Sequence, residues 1–139
     1  MGRILAIDYG KRRCGLAVTD PLRLSVNPLP FVPPAELLSA VSEFVADGEL
    51  DMVLLTRSAH RDGTPNDVQA AIAGFAERLQ KKHPTLPVEY QDEFGSSREA
   101  MHHLRAAGVG RKARARKGAL DSVSAGIILE RYLRDSGIW

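Results

Sequence analysis

Cysteine is almost missing from this sequence: Cys14 is the single one among 139 residues. One thiol closes no internal disulfide, so the chain is expected to rely on a packed core in a reducing, cytoplasmic setting. Cys14 itself reads as a buried, inert thiol. Long apolar runs are missing as well. None approaches the ~18–20 residues needed to cross a bilayer, and no charged-then-apolar leader comes before the first apolar segment. Neither membrane contact nor a cleaved signal is expected. The four histidines (60, 83, 102 and 103) show no zinc spacing. There is no internal repeat and no low-complexity tail. What is present, 44% apolar and 26% charged residues, is the make-up of a soluble globular chain. The length suits one domain over residues 1–139 with a real core, and not two.

One stretch near the start organises the rest. Residues 4–7 form a short apolar run that reads as a buried strand, and it ends on Asp8. Gly10 follows, then Lys11, Arg12 and Arg13, and then a second strand, Cys14–Thr19. The pair reads as a hairpin with three cations in its turn. A carboxylate placed where a buried strand runs out is costly to desolvate unless a cation, a metal or a hydrogen-bond donor meets it. Gly10 offers a backbone free to take positive φ and to approach a phosphate closely. An isolated Asp-x-Gly is also an ordinary turn, so the weight given to Asp8 depends on the remainder of the chain.

Residues 25–31, rich in proline, read as an edge strand, where proline is tolerated. A helix is expected over Pro34–Ala46, with Leu37, Leu38, Val41, Phe44 and Val45 as its apolar stripe and Gly48 as its stop. Residues 51–56 read as a strand buried on both faces. After a polar loop, Asn66 or Asp67 caps a helix striped by Val68, Ala71, Ile72, Phe75, Ala76 and Leu79. The last strand spans residues 86–93 and ends on Asp92 and Glu93. Ser96 with Glu99 forms a capping box for a helix through Met101 and Leu104 to Gly108. A final helix begins near Gly118 and carries Leu120, Val123, Ile127, Ile128, Leu129, Tyr132 and Leu133. This order predicts an α/β fold with a mixed five-stranded sheet and helices on both faces.

Two strands thus end in acids, and ligand sites of open α/β sheets lie at the carboxyl ends of parallel strands. If those strands are parallel neighbours, Asp8 and Glu93 share one sheet edge. A third acid, Asp121, shares a helical side with Ala125, Ile128 and Tyr132, where a carboxylate needs a partner. Three converging carboxylates are hard oxygen ligands, suited to Mg²⁺ or Mn²⁺. Ions held in this way promote phosphodiester hydrolysis. Net charge is +2, yet Arg111, Lys112, Arg114, Arg116 and Lys117 place five cations in seven residues. Without them the remainder carries −3. Positive field gathered in one segment is what a docking polyanion requires.

The pattern Asp8-x-Gly10-x-x-Arg13-x-Gly15-Leu-Ala-Val-Thr-Asp20 resembles the opening motif of the YqgF (RuvX-like) family. The similarity continues through Asp62-Gly63-Thr64, the Phe75–Leu79 helix segment, Asp92-Glu93, the basic run and Leu120-Asp121, over essentially the whole chain. The resemblance implies an RNase H-like fold and a small metal-dependent nuclease. Its ligands and catalytic residues would be Asp8, Glu93 and Asp121 on Mg²⁺ or Mn²⁺, with Asp92 supporting them. Lys11, Arg12, Arg13, Arg57, Arg61 and the 111–117 cations would hold a nucleic-acid backbone. Implied partners are precursor ribosomal RNA or branched or single-stranded DNA, bound by a monomer or weak homodimer.

The sequence departs from the family pattern where Thr56-Arg57-Ser58 replaces Gly-Leu-Pro, where His60 replaces Asn, and where Phe94 replaces an arginine. No metal ligand is lost. The implied role is 5'-end maturation of precursor 16S ribosomal RNA. The alternatives are a dimeric Holliday-junction resolvase and a non-catalytic RNA-binding module. Asp-x-Gly hairpins also grip ATP phosphates in actin-like and sugar-kinase folds, but those need a second domain that 139 residues do not supply.

Overall fold

The computed structural model describes residues 2–57, 67–92 and 117–139, with backbone alone over 117–122. The apolar run at the start becomes strand β1 (Arg3–Asp8), and Cys14–Thr19 becomes β2, its antiparallel partner. Strand β3 (Val26–Val32) pairs antiparallel to β2 at the sheet edge, where Pro28 and Pro30 withhold no hydrogen bond from an outer neighbour. Helix α1 (Pro34–Ala46) leads to β4 (Leu50–Arg57), which lies parallel to β1. Helix α2 (Asp67–Lys82) leads to β5 (Val88–Asp92), parallel to β4, and helix α3 (Lys117–Asp135) follows. The sheet order is β3-β2-β1-β4-β5. It is the mixed five-stranded sheet expected, antiparallel on one side and parallel on the other. The helix expected between Ser96 and Gly108 lies outside the described residues.

Strand alternation builds a separate core on each face. Leu5 and Ile7 of β1, Cys14, Leu16 and Val18 of β2, and Val53 and Leu55 of β4 meet α1 and α2. Leu37 and Val41 come from α1, and Ile72, Phe75, Ala76 and Leu79 from α2, so both predicted stripes face inward. On the opposite face Ile4, Ala6, Ala17, Met52 and Leu54 meet Ala125, Ile128, Leu129 and Leu133 of α3. Helices therefore cover both faces. Tyr132 O–H donates to Glu89 Oε2 at 2.6 Å and ties α3 to β5. Burial and that carboxylate neighbour push the Tyr132 phenol above its usual range.

Local chemistry fixes the ends. Pro34 stands in the first turn of α1, and Gly48, at φ +77°, ends it by donating to the Val45 carbonyl at 3.0 Å. At the amino-terminal end of the sheet, Arg23 takes a left-handed φ of 59°. Its guanidinium offsets that strain with bonds to the Gly2 carbonyl at 2.9 Å and to Asp51 Oδ2 at 3.0 Å. Asp51 Oδ2 also accepts from Gly2 N–H at 2.7 Å, and Trp139 Nε1 donates to the Arg23 carbonyl at 2.8 Å. The β2–β3 turn closes on Asp20, whose Oδ1 accepts from the N–H groups of Leu24 at 2.7 Å and Ser25 at 2.8 Å.

Leu129→Ala should lower stability by about 2–5 kcal/mol, because it opens a cavity between α3 and the sheet. The urea midpoint should fall with the slope unchanged. The Ser25 amide holds the Asp20 carboxyl below its ordinary value of 3.8, helped by the Leu24 and Leu22 amides and the Ser25 hydroxyl. The stabilisation this brings is complete above pH 3.8 and fades as the pH falls through the lower folded-state value. Asp20→Asn should therefore flatten the acid limb of a stability-against-pH curve relative to the parent chain.

Candidate active site at the carboxyl ends of the parallel strands

Asp8 closes β1, half-buried and opposite Gly15 in the hairpin register. It shares parity with Ile4 and Ala6, so it lies on the face covered by α3, the helix that carries Asp121. β4 runs alongside with Ile7 beside Leu55. The next step of that parallel register sets Asp8 beside Thr56, which has the parity of Met52 and Leu54 and shares the α3 face. Thr56 in turn pairs with Gln91 of β5. Gln91 also belongs to the α3 face, since its amide donates to Asp135 Oδ2 at 3.2 Å. Asp8, Thr56 and Gln91 thus form a row of oxygen-bearing side chains across three parallel strand ends.

Thr56 differs from its neighbours in burial. It is 0% exposed, and its Oγ1 has no hydrogen-bond partner among the described residues. In the sequence it stands out only as a departure from the family pattern, within Thr56-Arg57-Ser58. Its signal was a single hydroxyl closing the apolar run Met52–Leu55, at the parity of Asp8.

Two sequence expectations need correction. β1 and the last strand are not neighbours, because β4 stands between them. Gly10 is not a left-handed glycine; among the described residues those are Gly48 and Gly137. Glycine is needed there because a Cβ would run into the Arg13 carbonyl oxygen as the turn closes on itself.

Asp92 ends β5 exposed, at the parity of Val88 and Tyr90, which pack on the α1–α2 core. It therefore lies on the face opposite Asp8. Glu93, Arg61, Arg111, Lys112, Arg114 and Arg116 lie outside the described residues, as do the side chains of Lys117 and Asp121. Among the described residues no three acid, histidine or cysteine side chains converge.

The hairpin cations gather at the Asp8 end of the sheet. Lys11 lies 3.6 Å from Asp67 at the start of α2, with both groups largely in solvent, so the pair adds little stability. Arg12 is exposed, and Arg13 stacks over the Phe31 ring at 5.4 Å. Arg57 stacks over Tyr90 at 5.8 Å and has the parity of Val53 and Leu55, on the α1–α2 side. Tyr9 packs on Phe75 with ring centroids 6.2 Å apart, and burial pushes its phenol above the usual value. Cys14 is buried as expected.

Comparison with known proteins places this geometry. The family model described as "RuvX: Holliday junction resolvase" matches residues 2–135. A relative from Chlorobium phaeobacteroides (strain BS1), named "Putative pre-16S rRNA nuclease", is 41% identical over 135 residues, covering 97% of this chain and 94% of its own. A relative of the same name from Porphyromonas gingivalis (strain ATCC BAA-308 / W83) is 39% identical over 133 residues, with 96% of each chain covered. Thermus thermophilus RuvC superposes with a TM-score of 0.59 at 12% identity, covering 97% of this chain and 96% of that one. The same protein in complex with a Holliday junction substrate gives 0.58 at 14% identity, covering 99% and 97%. At those identities the likeness is one of fold, the RNase H-like arrangement.

Gly10→Ala should lower stability by about 1–3 kcal/mol, since the added methyl meets backbone that has to move. A drop in thermal midpoint measures it. An unchanged midpoint would show that the turn opens without cost.

Proposed function

This chain belongs to the RuvX family, and on that footing we propose that it is a metal-dependent nuclease acting in 5'-end maturation of precursor 16S ribosomal RNA. The observation that carries the reading is Asp8: half-buried at the carboxyl end of a central strand, on the face covered by the helix that bears Asp121. The names of the curated relatives support the substrate.

The donors present suit a hard cation. Asp8 offers a carboxylate, and the neighbouring Thr56 hydroxyl is buried without a partner among the described residues. Oxygen donors of this kind match Mg²⁺ or Mn²⁺. Asp8, Glu93 and Asp121 would hold the ion. Once bound, it supplies Lewis-acid stabilisation of phosphate charge and lowers the pKa of water.

The residues of the chain do the positioning. Lys11, Arg12 and Arg13, together with Arg111, Lys112, Arg114, Arg116 and Lys117, would draw in and hold the phosphate backbone without reading its sequence. Binding should therefore weaken steeply with salt. Arg57 and Arg61 would add cations at the end of β4. Asp92, on the opposite face from Asp8, would support the site rather than hold the ion.

Junction resolution is a second reading, favoured by the description of the matching family. It requires two sites presented by a two-fold dimer.

The test compares the parent chain with Asp8→Asn in Mn²⁺ or in EDTA. The substrates are a 5'-extended 16S precursor fragment, a single-stranded RNA and a four-way DNA junction. RNA cleavage should be abolished by Asp8→Asn and should vanish in EDTA, while RNA binding persists. Symmetric nicking of the junction alone would replace this reading with the resolvase. RNA binding without any cleavage would replace it with a non-catalytic RNA-binding module.

A further inference from the structure

A buried hydroxyl with no hydrogen bond is costly to keep in a core, and Thr56 of β4 has none among the described residues. Threonine beside apolar neighbours normally turns its hydroxyl to a backbone carbonyl or to a polar side chain. Thr19, equally buried, finds its partner in a backbone amide instead: its Oγ1 accepts from the Ile4 N–H at 2.9 Å. Thr56 has no such partner among the described residues. Ser124 is the other buried hydroxyl in that position, and it sits on α3 rather than on the row of strand ends.

What sets Thr56 apart is its place. It is the residue beside Asp8 in the parallel register, on the same face, one step past the Ile7–Leu55 pair. Neighbouring strands lie roughly 4.8 Å apart. Oxygens that share one divalent cation sit about 2.0–2.6 Å from it, so side chains on adjacent strands reach a common ion. A neutral oxygen is also the economical addition there. It adds an oxygen to the ion's shell without adding a further negative charge beside Asp8.

We propose that Thr56 belongs to the cation site, its Oγ1 lending a neutral oxygen to the shell of the divalent ion held by Asp8. This rests on the reading of Asp8 as a metal ligand and adds a residue to that site. The hydroxyl of Thr56 then has no partner among the described residues because its partner is the ion shell.

The test is Mn²⁺ binding to the full chain, read by titration calorimetry and by the electron-spin signal of free Mn²⁺. The proteins are the parent, Thr56→Val, Thr56→Ser and Asp8→Asn, with urea stability of each measured in EDTA. Thr56→Val keeps the shape and removes the oxygen. It should weaken Mn²⁺ binding about 10- to 100-fold, the range for groups that support metal ligands. Thr56→Ser should restore affinity to within a few-fold of the parent. Metal-free stability of Thr56→Val should stay level or rise, because an unpaired buried hydroxyl is gone.

If Thr56→Val binds Mn²⁺ as the parent does while Asp8→Asn does not, the inference about Thr56 fails and the metal site stands. If the parent binds no Mn²⁺, the reading of Asp8 fails and this inference falls with it. Should the valine variant lose its native circular dichroism, Thr56→Ala repeats the arm with the same two outcomes.

Discussion

β1 and β4 lie side by side at the centre of the sheet with both faces covered, and that double burial constrains almost everything else. A slip of one residue in either strand would exchange its two sets of side chains between the α1–α2 core and the α3 core. The sets are unequal. Leu5, Ile7, Val53 and Leu55 serve one face, and Ile4, Ala6, Met52 and Leu54 the other. Small Ala6 and Ala17 leave room for Ile128 and Leu129 of α3. Once the register is fixed this way, the residues that end the two strands are fixed too. Asp8 and Thr56 fall beside one another as a consequence of packing several residues away.

The two ends of the sheet are treated differently. At the amino-terminal end, Gly2, Arg23, Asp51 and Trp139 bond to one another. That end spends its hydrogen bonds on structure, and it tolerates a left-handed Arg23 because three of them converge on that residue. At the carboxyl end, a half-buried carboxylate and a buried hydroxyl without a partner among the described residues stand together. Cations of the hairpin turn surround that end. A buried hydroxyl that the fold leaves without a partner among the described residues is what a binding end can use.

The hairpin turn links fold to electrostatics. Gly10 lets the chain close tightly against the Arg13 carbonyl, so three successive cations project from a short, fixed turn. Arg13 is then pinned over Phe31 of the edge strand. A guanidinium held on an aromatic face loses less freedom when it meets a phosphate than one waving in solvent. The turn's position follows from β1 and β2, and through them from the same central register.

The five strands, the three described helices and the faces they bury were legible in the residues alone. The reason is that both periods are local: two for β1, β2 and β4, and 3.6 for α1, α2 and α3. The sequence likewise marked Asp8 as an acid at a strand end, the prolines of an edge strand, and Gly48 as a helix stop. Strand neighbours are another matter. Which strand lies next to which is decided by hydrogen bonds between residues far apart in the chain, and no short pattern encodes that choice. That β4 stands between β1 and β5 is therefore visible in the folded chain alone. Folding also turned Asp92 to the face away from Asp8 and gave Gly10 its role through contact rather than dihedral angle. Thr56 was unremarkable until β4 was seen beside β1. Its significance comes from a neighbour 48 positions away in the chain, brought within one strand spacing by the burial of Ile7 and Leu55.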